Sequence, residues 1–166
     1  MNSVNGEITD TFDGAVKRNL DRLLRTAVAI LGGKAEAEDA VQDAFLRYIE
    51  KQPSFASAEH ETAWLIRVTV NQCKSRLRSH WWKKTVPLLE TYPAKDDEQL
   101  EIVQVVLSLP SRYRTVLHLF YYEGFSIKEI AELTEQNEPT VRKQLERART
   151  MLKNVLIEEE FFFERV

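Results

Sequence analysis

The sequence predicts an all-α protein of two small helical domains joined by a flexible linker. Three observations predict it. Apolar residues recur at helical spacing in each long segment, and no segment alternates apolar with polar residues as a half-buried strand does. Gly and Pro number only 5 each in 166 residues, too few for a turn-rich β-sandwich. Between the helical segments, WKKTVPLLETYPAKDDEQ (82–99) carries two prolines and no periodicity, the mark of a connection rather than an element. The expected division is 1–84, a linker over 85–99, a second domain over 100–158 and a tail over 159–166.

The first helix is read from Val16, Leu20, Leu23, Leu24, Ala27, Val28 and Leu31, a stripe of i, i+3, i+4 and i+7 steps that Gly32 and Gly33 end. A second carries Ala37, Ala40, Val41, Ala44, Phe45, Tyr48 and Ile49 on one face and stops before Pro53. After the loop QPSFASAEHE, a third helix runs roughly from Thr62 to Arg78. Ile66, Val70, Cys73 and Leu77 form its apolar stripe. Arg67, Asn71, Lys74 and Arg78 step the same way one residue later, which places a polar, basic stripe about 100° round the helix. Cys73, on the apolar stripe, reads as a small buried hydrophobe.

Beyond the linker, Leu100 to Leu109 reads as helical up to Pro110, and helices follow over Ser111 to Tyr122, Ser126 to Leu133 and Glu138 to about Leu156. Gly124 ends one helix, and Ser126 with Glu129 three residues on is a capping box opening the next. Asn137 is an N-cap, Pro139 suits a first turn, and Val141, Leu145, Ala148, Leu152 and Val155 form a core stripe with Arg142, Lys143, Arg147 and Arg149 outside it. Helix, tight turn and a helix with a basic outer face make a helix-turn-helix; a plain helical hairpin with a soluble exterior is the alternative.

The formal net charge of -3 argues against a nucleic-acid binder, but its distribution argues for one. No acid occurs from Thr62 to Leu89, where Arg67, Lys74, Arg76, Arg78, Lys83 and Lys84 lie. From Pro139 to Ile157 five cations face the single acid Glu146. Acid collects at Glu36, Glu38, Asp39 and Asp43, at Asp96 to Glu98, and at Glu158 to Glu160. Two basic segments in an acidic chain fit two phosphate-contact sites; cations gathered on solvated helix ends explain the same pattern. One cysteine excludes an internal disulfide, and with 3 scattered His it leaves no zinc-ligand spacing. No apolar run is long enough to span a membrane, and the N-terminus MNSVNGEITDTFDG lacks a signal peptide's apolar region, so a cytoplasmic protein is expected.

These residues resemble a known family, the bacterial RNA polymerase sigma factors of the sigma-70 family, in the small extracytoplasmic-function (ECF) group. Glu36-Ala-Glu-Asp-Ala-Val-Gln-Asp-Ala-Phe45 is similar to the family's "AEDVVQEAF" helix, and Thr62-Ala-Trp-Leu-Ile-Arg-Val-Thr-Val-Asn71 with Lys74-Ser-Arg-Leu-Arg78 to its "TWLYRIAxN…DxLR" helix, both in region 2. Leu109-Pro-Ser-Arg-Tyr-Arg-Thr-Val116, Gly124-Phe-Ser-Ile-Lys-Glu-Ile-Ala131 and Thr140-Val-Arg-Lys-Gln-Leu-Glu-Arg-Ala-Arg149 resemble "LPxxyRxv", "GLSYEEIA" and "GTVKSRLxRAR" of region 4. The resemblance runs from about Phe12 to Leu156, and the lack of regions 1.1 and 3 points to the ECF group. Two departures stand out. Thr134, Glu135 and Gln136 occupy a turn that usually holds Leu-Gly and an aliphatic residue, and Pro139 replaces a residue such as Gly.

The resemblance implies a transcription initiation factor and no enzyme: no Ser/His/Asp arrangement, metal cluster or phosphate loop is present, and no cofactor is expected. It implies that the first domain reads the -10 element through Phe55, Arg67, Asn71, Lys74, Arg76 and Arg78, with Phe55 and Asn71 at the pocket for an extruded base. Phe55 reads equally as a core plug beneath its loop. The second domain reads the -35 element through Glu138, Thr140, Arg142, Lys143 and Arg147. Asp39, Gln42 and Asp43, otherwise a plain solvated face, dock on the clamp helices of the polymerase largest subunit; reversing Asp39 and Asp43 to Lys is expected to abolish core binding and leave the helical fold intact, because exposed charges contribute little to stability. The flap is a further polymerase contact, and an anti-sigma factor a further partner. Trp81 and Trp82 can stack on DNA or pack on the domain, and the Phe161–Phe163 tail has no family counterpart. The 20 residues from Trp82 to Ile102 reach at most about 70 Å, which equals about two DNA turns. A stand-alone regulator, a recombinase and a sigma-like sequestering protein are the rival classes. The recombinase lacks its nucleophile, and the two basic faces count against sequestration.

Overall fold

The computed structural model describes residues 2–79 and 105–163, with side chains at 11–78 and 105–155. All elements among the described residues are helical. The chain divides into two compact units, Met1–Thr85 and Val86–Val166. The linker expected over 85–99, Lys83, Lys84, Trp81 and Trp82 lie outside the described residues.

In the first unit α1 spans Asn2–Leu31, α2 Lys34–Lys51 and α3 Ala58–Ser79, and each packs on the other two. Gly32 stops α1 as expected: its φ is +76°, where a Cβ is disfavoured, and its N–H donates to Val28 O at 2.8 Å. The second helix ends at Gln52, which takes the left-handed φ of 43° while its N–H donates to Tyr48 O. Helix α3 starts four residues earlier than the pattern predicts, because Ser57 Oγ accepts the His60 N–H and caps the first turn.

The core is the apolar stripe of each helix: Leu23, Ala27 and Val28 of α1, Ala37, Ala40, Val41 and Ala44 of α2, and Leu65, Ile66, Val70 and Cys73 of α3. Four Ala at these positions allow close approach of the helix axes. Burial pushes the Cys73 thiol up to about 12, so at neutral pH it is a packed thiol and not a nucleophile. Two expectations need correction. Leu20 and Ile49, read as core, are exposed. Ile49 lies about 100° from Tyr48 round α2, and three helices cover only one side of each, so the edge of the stripe stays in solvent.

A polar cluster crosses this core. Glu61 of α3 is buried, and its Oε1 accepts from Arg18 Nη2 at 2.9 Å, Arg18 Nε at 3.2 Å and Asn19 Nδ2 at 3.2 Å. Its Oε2 faces the Tyr48 hydroxyl at 3.4 Å. Thr62 Oγ1 donates to Asn19 Oδ1 at 2.6 Å. Burial first, then the Glu61 carboxylate, raise the Tyr48 pKa above its ordinary value.

In the second unit residues 105–108 are helical, α4 spans Ser111–Leu117, and a π-type turn over His118–Tyr122 widens its end. Helix α5 spans Ile127–Thr134 and α6 spans Glu138–Phe163, so the α6 backbone reaches into the expected tail as far as Phe163. The core unites Val116, Leu119, Ile130, Val141, Leu145 and Ala148. Buried Arg114 donates to Leu107 O at 3.1 Å and ties the segment before Pro110 to α4; desolvation lowers its pKa. The π-type turn buries His118 against Glu123, with Nε2 to Oε1 at 3.4 Å, and leaves Tyr121 and Tyr122 exposed.

Gln52 carries an L side chain in the left-handed region, which costs about 1–2 kcal/mol, partly offset in the glycine variant by the greater freedom of its unfolded chain. Gln52→Gly should therefore stabilise the first unit by about 0.5–1 kcal/mol. A urea midpoint that stays or falls would show that the side chain makes a compensating contact.

Candidate nucleic-acid interface

In the first unit the surface of interest is the outer side of α3 and the loop before it. Arg67, Asn71 and Arg78 are exposed and Lys74 is half-buried, and they share one face at steps of four, three and four. Arg76 does not join them. It lies nine residues after Arg67, about 180° round the helix, and its Nη2 is paired with Asp43 Oδ2 of α2. This pair ties together two residues expected on two different surfaces. Asp43 is part-exposed and engaged, whereas Asp39 and Gln42 are exposed on the outer face of α2. Beside them stand Leu46 at 49% and Ile49 at 45% exposure, two aliphatic side chains that the sequence reading did not assign to this surface.

Phe55 is half-buried in an aromatic group. Its ring centroid lies 5.8 Å from Trp64, 6.1 Å from Tyr48 and 6.1 Å from His60, in tilted or edge-on arrangements. The ring therefore both plugs the loop and keeps part of its surface in solvent, so the two readings of Phe55 are compatible. His60 and the Glu61 cluster behind this group were missed from sequence, where EHE (59–61) reads only as the end of the loop.

In the second unit the helix-turn-helix forms by the caps the sequence indicates. The Ser126 hydroxyl accepts the Glu129 N–H at 3.1 Å and meets Glu129 Oε1 at 3.0 Å. Asn137 Oδ1 accepts the Thr140 N–H at 2.8 Å and starts α6. In the turn without glycine, Glu135 takes the left-handed position itself, φ 54°, and Gln136 N–H reaches Ala131 O at 2.9 Å. Glu138, Arg142, Lys143 and Arg147 are exposed and Thr140 is half-exposed. Lys143 lies on the outward face, opposite the Val141, Leu145 and Ala148 stripe, with Arg142 on one flank and Thr140 on the other. Arg149 is engaged: its Nε donates to the Tyr121 hydroxyl, and its Cζ sits 5.6 Å from the Phe120 and 5.4 Å from the Tyr121 ring centroids.

The comparisons with known proteins follow the same two units. The model of Sigma-70 region 2 matches residues 15–83, and that of Sigma-70 region 4 matches residues 99–152. The ECF RNA polymerase sigma factor SigM of Mycobacterium tuberculosis is 30% identical over 150 residues, covering 87% of this chain and 76% of SigM. The chain belongs to the ECF sigma factor family. SigW of Bacillus subtilis, also an ECF RNA polymerase sigma factor, is 29% identical over 170 residues and covers 89% of each chain. The fold is shared with the sigma factor RpoE in its complex with the anti-sigma factor NepR from Bartonella quintana, with a TM-score of 0.70, 24% identity and coverage of 88% of this chain and 96% of that one. CnrH, in complex with the cytosolic domain of CnrY, matches with a TM-score of 0.61 at 22% identity over 90% of each chain. A stand-alone helix-turn-helix regulator does not account for the region 2 match, so the sigma factor reading holds over it. Among the described residues no helix is long and apolar enough to cross a membrane.

Asp43 and Arg76 make a testable pair. Because the bridge is part-exposed, Asp43→Ala should cost about 1 kcal/mol or less, and Asp43→Lys more, since a cation then faces Arg76. Reversal of Asp43 is therefore not silent for the fold, contrary to the expectation for an exposed charge. Exchanging the charges, Asp43→Arg with Arg76→Asp, should recover at least half of the loss in thermal denaturation. No recovery would mean that the bridge does not hold α2 to α3.

Proposed function

We infer that this sigma factor binds core RNA polymerase and directs it to promoters, acting in the cytoplasm where the polymerase is. The first unit, region 2, reads the -10 element, and the second, region 4, the -35 element. The observation that carries this reading is that both family-matched units display a basic face outside a fully used core. Arg67, Asn71, Lys74 and Arg78 offer phosphate contacts and one neutral amide with donor and acceptor for a base edge. Phe55, held by Trp64 and Tyr48, offers the ring against which an extruded base stacks. Arg76, paired with Asp43, contributes by holding α3 rather than by meeting DNA. In region 4, Lys143 and Arg142 enter the groove, with Glu138 and Thr140 at the base-reading start of α6.

Core docking falls to the outer face of α2. Asp39 and Gln42 supply polar contacts and Leu46 with Ile49 an apolar patch, a combination suited to a partner surface with cations around an apolar strip. RpoE of Bartonella quintana is seen with an anti-sigma factor, and a partner of that kind is a reasonable regulator here.

Run-off transcription with core polymerase and a randomised promoter pool tests the reading directly: promoter-dependent transcripts are expected with core and chain together, and their absence would overturn it. Asn71→Ala should relax preference at one -10 base, losing about 1–3 kcal/mol there. Identical selection by wild type and variant would remove Asn71 from base reading. Asp39→Lys with Leu46→Arg, both at exposed positions, should abolish pull-down by core polymerase while circular dichroism stays unchanged. Full core binding by that folded variant would refute the docking face.

A further inference from the structure

One ring beside Phe55 has no role in the reading above. His60 lies in the first turn of α3, two residues before the stretch Thr62–Asn71 that resembles the family's motif, and its side chain is exposed. The Ser57 hydroxyl accepts its N–H at 3.1 Å, and Glu61 donates its own N–H to Ser57 O at 3.1 Å, so the backbone here is fixed. Glu61 turns inward to Arg18 and Asn19. His60, one residue and about 100° away round the helix, is thereby turned outward. Among the described residues its imidazole nitrogens make no hydrogen bond or ion pair.

The polar stripe of α3 extends to this residue. From His60 the steps to Trp64, Arg67, Asn71, Lys74 and Arg78 are four, three, four, three and four, and all six positions fall within an arc of about 80°. Two rings thus head a row whose further members are cations and one amide. Phe55 packs against both rings: its centroid lies 6.1 Å from His60, with 76° between the planes, and 5.8 Å from Trp64. Of the rings around Phe55, Tyr48 is buried with its hydroxyl facing Glu61, Trp64 is half-buried, and His60 is exposed. The imidazole therefore brings an exposed hydrogen-bonding edge to Phe55. A base that leaves the stack and lies on Phe55 gains stacking, which is tolerant of base identity; a choice among bases needs hydrogen bonds to the edge. A neutral imidazole has one donor and one acceptor nitrogen for that purpose. Asn71 lies eleven residues on, about 16 Å along the helix axis, so the two side chains suit different bases.

We propose that His60 reads the edge of the extruded -10 base that stacks on Phe55, as a specificity-determining residue separate from Asn71. The proposal rests on the sigma factor reading and adds to it a base contact from outside the residues that carry the family resemblance.

The test uses holoenzyme assembled from core polymerase and the full chain, with selection from a randomised promoter pool. Phe55→Ala identifies the -10 position whose preference depends on the stacking ring. At that same position His60→Ala should reduce the preference about 2–10-fold, the worth of one hydrogen bond, and the position governed by Asn71 should not move. On a promoter with an abasic site at the Phe55 position, wild type and His60→Ala should bind equally, because no edge remains to be read. His60→Phe keeps a ring against Phe55 and removes both nitrogens, so it should lose selectivity as His60→Ala does while its thermal denaturation matches wild type. Wild-type selectivity in His60→Phe would mean that the ring only packs, and would overturn the proposal; so would a change confined to the Asn71 position. If wild-type holoenzyme shows no -10 preference, the function proposed above fails and this assignment with it. If it shows one and both His60 variants share it, only this assignment is overturned.

Discussion

Region 2 depends on one buried carboxylate. Glu61 enters the core near the start of α3 and collects donors from Arg18 and Asn19 of α1 and from Tyr48 of α2. A carboxylate removed from water costs several kcal/mol unless it is charge-paired and hydrogen-bonded, so this residue constrains where all three helices can lie. Apolar stripes alone leave helices free to slide, since Leu, Val and Ala contacts are not directional. The Glu61 donors are directional. They set the rotation of α3 about its own axis, and that rotation decides which face carries Arg67 and Asn71 into solvent. The Asp43–Arg76 bridge repeats the constraint at the other end of α3.

Cations in this chain therefore divide by what they face. Arg18, Arg76, Arg114 and Arg149 are engaged by Glu61, Asp43, a backbone carbonyl and an aromatic pair. Arg67, Arg142 and Lys143 are presented outward. A count of Lys and Arg along the sequence does not separate the two groups, and neither does the net charge of -3. What separates them is helix phase combined with the position of acids on neighbouring helices.

Much was legible in advance because it is local. Capping by Ser126 and Asn137, the stop at Gly32 and the stripe of α6 each depend on residues within a turn or two; the caps and the stop form as read, and the stripe is buried at Val141, Leu145 and Ala148 but only half-buried at Leu152 and Val155. The helix-turn-helix turn also closes without its usual glycine, because Glu135 accepts the left-handed conformation. What was not legible is long-range in sequence. Glu61 looks like its neighbour Glu59 until α1, 43 residues away from it at Arg18, supplies the partner. Asp43 looks like Asp39 until α3 brings Arg76 to it. Ile49 looks like core because the pattern shows periodicity but not how many neighbours a helix has. Of the candidate residues, the α3 stripe could be phased from spacing, while the turning of Arg76 away from it toward Asp43 could not.

On the proposed reading, the two basic faces explain a need for the polymerase. Each presents only a few cations, and a contact with a few phosphates gives weak, strongly salt-dependent binding that any duplex satisfies. Two such faces become specific only when both engage at once, which requires a high effective concentration of the second site after the first has bound. A chain whose acids outnumber its Lys and Arg gains nothing from long-range attraction to DNA. A large partner that holds both units near one duplex supplies that concentration, and the apolar patch of Leu46 and Ile49 beside Asp39 is the surface on which region 2 can be held without using its DNA face. The separation of the two faces on α2 and α3, locked by Glu61 and by the Asp43–Arg76 bridge, is what allows both to be occupied together.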